Sequence, residues 1–451
     1  MIRSITVFFS LAFLCLSAVA QKAIVAGPMP GHVELRTAKI WLQFRDNIKE
    51  AAIHYRSKAA SKLLTKKIQL EGGEFNTAEV TITGLEPSTD YIYYITAGAG
   101  KNYLDSGAFS TQTIWQFRNP PPDFSFLAGS CTYFNEMQYD RPGAPYGQDS
   151  TIFNMMAKEK SAFMLWLGDN WYTRYPDFHS EWGLNYRPSR DRQMPVLQKF
   201  LKSMSHYGIW DDHDYGPNDA DKSYVLKEAS RRTFMKFWAN PGYGFNGQGI
   251  YTMFNYNDAD FFLLDDRWWR SSDRMKDSVN GQPNPEKTMF GKDQVDWLKN
   301  ALLFSKANNF TKFRVIVTGS QVLNQLTRFD SFNHFPVEYE ELMRFIEDNK
   351  INGVVFITGD RHHSEVLRLD RKNAYTLYDV TVSPLTSRVA KTQGAEVNNP
   401  DRVGPEMAEQ NYGRFSVSGE ANERRLTVEF IGLKGDVLFT WSVKASELMN
   451  E

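Results

Sequence analysis

Cysteine is nearly absent, with Cys15 and Cys131 the only two in 451 residues. Cys15 falls inside an apolar leader, so an exported chain would keep one thiol and no intramolecular disulfide. A lone thiol in an oxidising compartment calls for burial or a metal partner. Long apolar runs are also missing. Beyond the leader no stretch approaches ~18 apolar residues, the length at which a membrane-spanning helix becomes a candidate. Charge of one sign is missing as well: Lys plus Arg is 52, Asp plus Glu is 53, and the formal net charge is -1. That balance argues against a nucleic-acid binder working through overall charge, which needs a cationic excess. The 32 Phe, 21 Tyr and 11 Trp exclude a solvated, disordered chain.

The first twenty residues have the layout of an export signal. Arg3 supplies a thin positive region, Ile5 to Leu16 a short apolar stretch, and Ala18-Val19-Ala20 a small-x-small cleavage pattern before Gln21. Residues 1–20 are therefore expected to be a signal peptide, with a short signal anchor as the alternative. The mature protein is expected to be exported, periplasmic or secreted, with no transmembrane segment after the signal.

Short alternating runs then recur at Thr37–Phe44, Glu50–Tyr55, Thr77–Ile82 and Tyr91–Ala97, the rhythm of a β-sandwich. Leu85-Glu86-Pro87-Ser88-Thr89-Asp90-Tyr91 resembles the Leu-x-Pro-x-Thr-x-Tyr signature of fibronectin type III domains, in which the Tyr pins a corner. Residues 21–117 are thus expected to form a fibronectin-III-like β-sandwich. Arg118-Asn119-Pro120-Pro121-Pro122-Asp123 is a stiff linker, because Pro lacks a backbone donor and favours extended chain.

From residue 124 to 451 the pattern becomes α/β or α+β. Apolar strand candidates are Phe124–Ala128, Phe163–Leu167, Tyr207–Trp210, Phe261–Leu264, Val315–Thr318 and Val354–Thr358. Helix candidates are Thr151–Lys160, Lys227–Trp238, Lys292–Phe304 and Val337–Asn349. Antiparallel strands are expected at Arg414–Ser418, Arg425–Ile431 and Val437–Val443. Between them lies an irregular stretch, Ser383–Tyr412, long enough to suggest a functional loop.

The informative feature is what ends each apolar run. Gly129-Ser130-Cys131 ends one in a thiol. Gly168-Asp169-Asn170-Trp171-Tyr172 ends another in a carboxylate and a phenol. Trp210-Asp211-Asp212-His213-Asp214 and Gly359-Asp360-Arg361-His362-His363 supply carboxylates beside imidazoles. Ligands in α/β sheets bind beyond the carboxyl ends of strands, so four such ends would deliver these groups to one rim. An Asp after a strand is most often a cap or turn residue, and Cys131 alone would read as a buried small hydrophobe. Together they are less ordinary, because three carboxylates on one desolvated rim repel one another unless cations bind. The mixture of thiolate, phenolate, imidazole and carboxylate suits a transition metal beside a harder divalent ion. Two metals ~3.5–4 Å apart can clamp an in-line phosphoryl displacement and lower the pKa of water. A neighbouring His can protonate the leaving oxygen.

These residues resemble the calcineurin-like metallophosphoesterase superfamily, and within it the PhoD-like alkaline phosphatase branch. Leu264-Asp265-Asp266-Arg267 is similar to that branch's Leu-Asp-x-Arg segment. The resemblance implies a sandwich of two mixed β-sheets flanked by helices, preceded by a small β-sandwich. It implies a metallophosphoesterase hydrolase in which Asp169 bridges two metal ions. Cys131, Tyr172 and His362 would hold Fe(III). Asp212 and Asp360 would hold the second ion, Ca with Zn or Mn as alternatives, and His213 would be the proton donor. The superfamily usually has Asn at the position of Asp212 and His at that of Asp360, so this second site is more anionic, which favours a harder ion such as Ca(II). A usual His after the fifth strand is missing; Val317-Thr318-Gly319-Ser320-Gln321 offers Gln321 instead.

Weaker substrate contacts are Asn170, His363, whose direction would oppose that of His362 if the backbone were extended, and the phosphate forks Arg141, Arg174, Arg361 and Arg388. The expected partner is a small phosphate ester, with a phospholipid or nucleotide diester as the rival substrate. The aromatic segments Trp171–Trp182 and Tyr243–Tyr256 and the Ser383–Tyr412 loop are expected to shape the mouth. A phosphodiesterase or phospholipase-D-like activity competes with monoester hydrolysis. An inactive secreted binding protein is the alternative from another class, as is a closed structural metal protein.

Overall fold

Alternation of apolar side chains up to residue 110 produces seven antiparallel strands. They are β1 (Ile24–Val33), β2 (Thr37–Phe44), β3 (Glu50–Ser57), β4 (Leu64–Gln69), β5 (Thr77–Thr83), β6 (Asp90–Ala97) and β7 (Asp105–Ser110). The computed structural model describes residues 22–98, 100, 102–420 and 423–450, so the signal expected over 1–20 lies outside the described residues. The strands form a three-stranded sheet, β1-β2-β5, and a four-stranded sheet, β4-β3-β6-β7. Ile40, Leu42, Ile53, Val80, Tyr93 and Ile95 belong to their shared core. The Tyr91 hydroxyl accepts the Glu86 N–H at 2.8 Å, tying the corner before β6. β1 was not readable because it carries Pro28 and Pro30. It tolerates them as an edge strand with several register shifts against β2.

After Pro122 come β8 (Phe124–Gly129), α1 (Ile152–Met156), β9 (Phe163–Leu167), α2 (Glu181–Arg192), α3 (Pro195–Ser203), β10 (Ser205–Ile209), α4 (Asp212–Tyr215) and α5 (Lys227–Phe237). They are followed by β11 (Thr252–Tyr256), β12 (Ala259–Leu263), a hairpin of β13 (Ser278–Val279) and β14 (Gln282–Pro283), α6 (Gly291–Ala307), β15 (Phe313–Val317), α7 (Pro336–Asp348) and β16 (Val354–Thr358). The chain ends with β17 (Glu365–Arg371), β18 (Ala374–Thr381), β19 (Asn411–Ser418), β20 (Arg425–Gly432) and β21 (Val437–Lys444). Two six-stranded mixed sheets result, β10-β9-β8-β19-β20-β21 and β11-β12-β15-β16-β18-β17. β8, β9 and β10 are parallel in the first sheet, and β12, β15 and β16 in the second. Phe126, Phe163 and Phe261 join the two sheets, with ring centroids 5.1–5.3 Å apart.

Several expected elements shift. The helix expected over Thr151–Lys160 is only five residues long, because Lys158 and Glu159 donate to the third residue back and the chain tightens towards β9. β10 starts at Ser205 and ends before Trp210. Of the aromatic segments expected at the mouth, Trp171–Trp182 runs into α2 at Glu181 and Tyr243–Tyr256 ends in β11, and neither lines the cavity at the strand ends.

The small sandwich is packed against the larger part. Trp41 Nε1 donates to the Lys236 carbonyl at 2.9 Å, and the His32 N–H to that of Ala239 at 2.9 Å. The Arg192 guanidinium lies between the Trp41 and Trp238 rings, 4.8 and 4.4 Å from their centroids. Among the described residues no helix is long and apolar enough to cross a membrane.

Candidate metal centre

β8, β9 and β16 are each followed by a left-handed turn that carries a polar side chain, and β10 leads through Asp211 directly into α4. Gly168, at φ 88°, lies where a Cβ would meet that of Asp211 at 2.6 Å, so the β9 and β10 loops approach as only glycine allows. Cys131, Asp169, Asp360 and His362 themselves sit in the left-handed region, at φ 61°, 52°, 66° and 57°. Non-glycine residues rarely adopt it, and such positions concentrate at functional sites.

These turns bring the expected donors together in two sets that share Asp169. Donor atoms of Cys131, Asp169 and His362 lie within 4.8 Å of one another, and so do those of Asp169, Asp212 and His213. The Tyr172 hydroxyl is 3.3 Å from His362 Nε2, alongside the first set. Ser383 Oγ accepts the His362 N–H at 2.9 Å and donates to Cys131 Sγ at 3.2 Å. The second set hangs on α4. Asp211 caps its N-terminus, accepting from the Asp212 N–H at 3.0 Å, while Asp214 accepts the Asp211 N–H at 3.0 Å. Asp212 accepts the Asp219 N–H at 2.7 Å. The His213 ring packs 4.1 Å from that of Tyr172, and its Nδ1 has no hydrogen-bond partner among the described residues. Asp360 lines the cavity without entering either compact set.

Electrostatics favour cations here. Burial, then repulsion from Asp212 and Cys131, raises Asp169 far above the carboxylate range. Desolvation, then Asp330, pushes Asp360 up to about 7. Burial, then Asp360, lifts the Cys131 thiol to about 11, and burial with Asp169 raises Tyr172. Burial opposes ionisation of Asp212 too, yet His213, Arg267 and the Asp219 N–H hold it below the usual range. Desolvation takes His213 down to about 4 and also lowers His362. Crowded acids raised by one another are the pattern that a bound cation reverses. A thiol, phenol and imidazole on one flank and carboxylates on the other fit two ions of different hardness.

Several weaker expectations meet a different arrangement. The backbone over Arg361–His363 is bent, not extended, so the alternation expected for His363 fails and both imidazoles line the cavity. His363 is 1% exposed, with Glu365 3.5 Å away. Gln321 is occupied beneath the site, donating to Glu365 and Thr381 at 2.9 Å and accepting from Asn324, so its carbonyl is not free for an ion. Asn170 braces the floor, donating to the Ile209 carbonyl and Asp214. Arg141 is exposed and outside the cavity lining, and Arg174 pairs with Asp140 at 3.0 Å. Arg361 lines the cavity but binds Glu396 at 2.7 Å. Arg388 reaches the lining from the long loop.

The cavity, about 650 Å³, also includes Tyr146, Asn218, Asp219, Phe329, Asp330 and Lys391, none of which was singled out from sequence. The Tyr146 hydroxyl is 3.5 Å from His362 Nε2. Ser383 had one unused signal: it follows β18, a strand end like the others.

The sequence model of the PhoD-like phosphatases matches residues 126–430. Alkaline phosphatase D of Bacillus subtilis (strain 168) is 26% identical over 333 residues, covering 64% of this chain and 54% of that protein. The chain thus spans about half the length of this curated relative. A solved structure of PhoD superposes with a TM-score of 0.77 at 18% identity, over 96% of this chain and 92% of that one. Purple acid phosphatase PPD1 from yellow lupin (Lupinus luteus) seeds superposes with a TM-score of 0.67 at 11% identity, over 92% of this chain and 74% of that one. Both share the fold.

Proposed function

The chain belongs to the PhoD-like phosphatase family, and from that membership we propose that it is an exported dinuclear-metal phosphoesterase hydrolysing phosphate esters. The observation that carries the reading is Asp169, whose carboxylate belongs to two donor sets at once. Asp169 would contribute to both ions; Cys131, Tyr172 and His362 would hold the first, Fe(III), and Asp212 with Asp360 would hold an oxygen-preferring divalent ion, Ca(II) before Zn or Mn. Two bound cations supply Lewis acidity and an activated water at neutral pH.

The protein's own groups do the rest. The α4 cap aims Asp212 and His213 at the cavity, and Ser383 fixes the relative placement of Cys131 and His362. Desolvation holds His213 down to about 4; as a neutral N–H donor it stabilises the charge developing on the leaving oxygen, and where the substrate's negative charge draws a proton from solvent onto its free nitrogen it passes that proton to the leaving oxygen. We read residues 1–20 as the export signal and the N-terminal sandwich as fibronectin-III-like; the Tyr91 corner bond supports the second assignment.

The test is metal analysis and a visible spectrum of the mature protein and of Tyr172→Phe, with p-nitrophenyl phosphate and its bis ester as substrates. A violet phenolate-to-iron band lost in the variant, about one iron per chain, and ester hydrolysis are the expected results. No bound metal and no hydrolysis of either ester, even after adding back Fe, Mn, Zn and Ca, would sink the enzyme reading.

A further inference from the structure

The cations lining the metal cavity are Arg361, Arg388 and Lys391. Arg361 is spent on Glu396. Among the described residues, Arg388 and Lys391 have no carboxylate at ion-pair distance and no side-chain hydrogen bond, and both are exposed. Their loop is nevertheless fixed. The Arg388 carbonyl accepts from His362 Nδ1, the Ala390 N–H donates to the His362 carbonyl at 2.9 Å, and the Ser387 N–H to that of Cys131 at 3.0 Å. Thr392 binds Glu406 through its N–H at 2.8 Å and its hydroxyl at 2.7 Å. Two free cations are therefore held at the Cys131–His362 flank by a backbone that does not depend on them.

Charge accounting gives them a task. Deprotonated Cys131, Tyr172, Asp169, Asp212 and Asp360 would balance a trivalent and a divalent ion, so a centre loaded in that way would offer no cationic excess to a second anionic group. Asp330, also in the lining, is already neutralised by Arg267 and Arg270 at 2.7 and 3.0 Å. We propose that Arg388 and Lys391 bind a second anionic group on the alcohol portion of the substrate. The preferred substrates are then phosphate esters whose leaving group carries a carboxylate or a further phosphate. This rests on the phosphoesterase reading and deepens it by naming the substrate class.

The experiment compares phenyl phosphate with 4-carboxyphenyl phosphate, using metal-loaded wild type and the double variant Arg388→Gln/Lys391→Gln, at low and high salt. Exposed ion pairs are worth roughly two- to fivefold each and are screened by salt, so two of them set a scale of about tenfold. The expected result is that the double variant loses about tenfold in kcat/KM on the carboxylated ester, carried by KM. Its loss on phenyl phosphate should be at least about fivefold smaller than on the carboxylated ester, and high salt should erase that difference. Calorimetric titration with phenylphosphonate and 4-carboxyphenylphosphonate reads the same contrast without turnover. Equal losses on both ligands, or none on either, overturn the proposal. If wild type hydrolyses neither ester, the phosphoesterase reading fails, and the phosphonate titration still decides whether the anion subsite exists.

Discussion

Arg267→Met tests the charge balance under the candidate centre. Arg267 is 0% exposed. Its Nε donates to Asp211 at 2.6 Å and its Nη2 to Asp330 at 2.7 Å, with Asp266 3.9 Å away. Asp211 caps the helix that presents Asp212 and His213, so Arg267 compensates the acid on which that presentation depends. Removing one partner of a buried ion pair costs about 3–5 kcal/mol, because the other is left uncompensated. Arg270 still reaches Asp330, so the orphan is chiefly Asp211, already raised by burial and restrained by Arg267.

The sign of the pH effect follows. In the variant the folded-state carboxyl is raised further above its unfolded value, so the folded state binds the extra proton. The variant's deficit is then largest in alkali and shrinks on acidification, by up to ~1.4 kcal/mol per pH unit for each such carboxyl. Urea unfolding of chelator-treated protein at several pH values measures it without metal linkage. Arg267→Lys, which keeps the charge but loses the fork, should fall between the two. A loss below ~1 kcal/mol, or one that grows on acidification, refutes the reasoning.

Two further predictions concern imidazoles. Burial, then Arg192, takes His206 down to about 3; its Nδ1 accepts from Trp166 Nε1 at 3.0 Å and its Nε2 faces the Phe200 carbonyl at 3.2 Å. The unfolded chain takes up a proton near pH 6.5 that the native state refuses, so stability present above that pH should fall by about 2.3 kcal/mol between pH 6.5 and 4.5. His206→Gln should flatten that part of the stability profile; parallel wild-type and variant profiles would count against it. His213→Asn should keep both metals and lower kcat by roughly 10²–10⁴ on an alkyl phosphate, where the leaving oxygen needs a proton. It should lose less on p-nitrophenyl phosphate, whose leaving group needs none. Loss of a metal in this variant would mark His213 as a ligand instead of a proton donor.

Legibility tracked how each element earns its place. β9 and β16 are unbroken apolar runs buried on both faces, and their bounds were readable to the residue. α2 escaped because its buried face is polar: Asn185, Arg187 and Asp191 point inward. Arg187 is satisfied by Asp177 at 2.7 Å and Glu136 at 2.8 Å. Hydrophobic periodicity cannot register a helix held by ion pairs. β17 escaped for the opposite reason, since it is an edge strand carrying Arg368, Asp370 and Arg371, as exposed edges often do. At the site, motifs announced the strand-end donors. Tyr146, Asp219 and Lys391 arrive from loops with no period, and only the folded chain brings them to the cavity.

The backbone at the donors bears on how the centre is made. Non-glycine residues in sparsely populated conformations cost about 1–3 kcal/mol each and persist only where their surroundings over-determine them. Cys131, Asp169, Asp360 and His362 are four such positions, and protein hydrogen bonds hold them. The Thr386 and Ser387 N–H groups fix the Cys131 carbonyl, and Thr132 N–H fixes that of Asp169. Ser383 spans Cys131 and His362, and the Gly359 N–H is bonded to the Gly319 carbonyl at 2.8 Å. The strain is therefore balanced by hydrogen bonds from the two sheets and from the 383–390 loop, which hold the donor-bearing turns in the conformations the site requires.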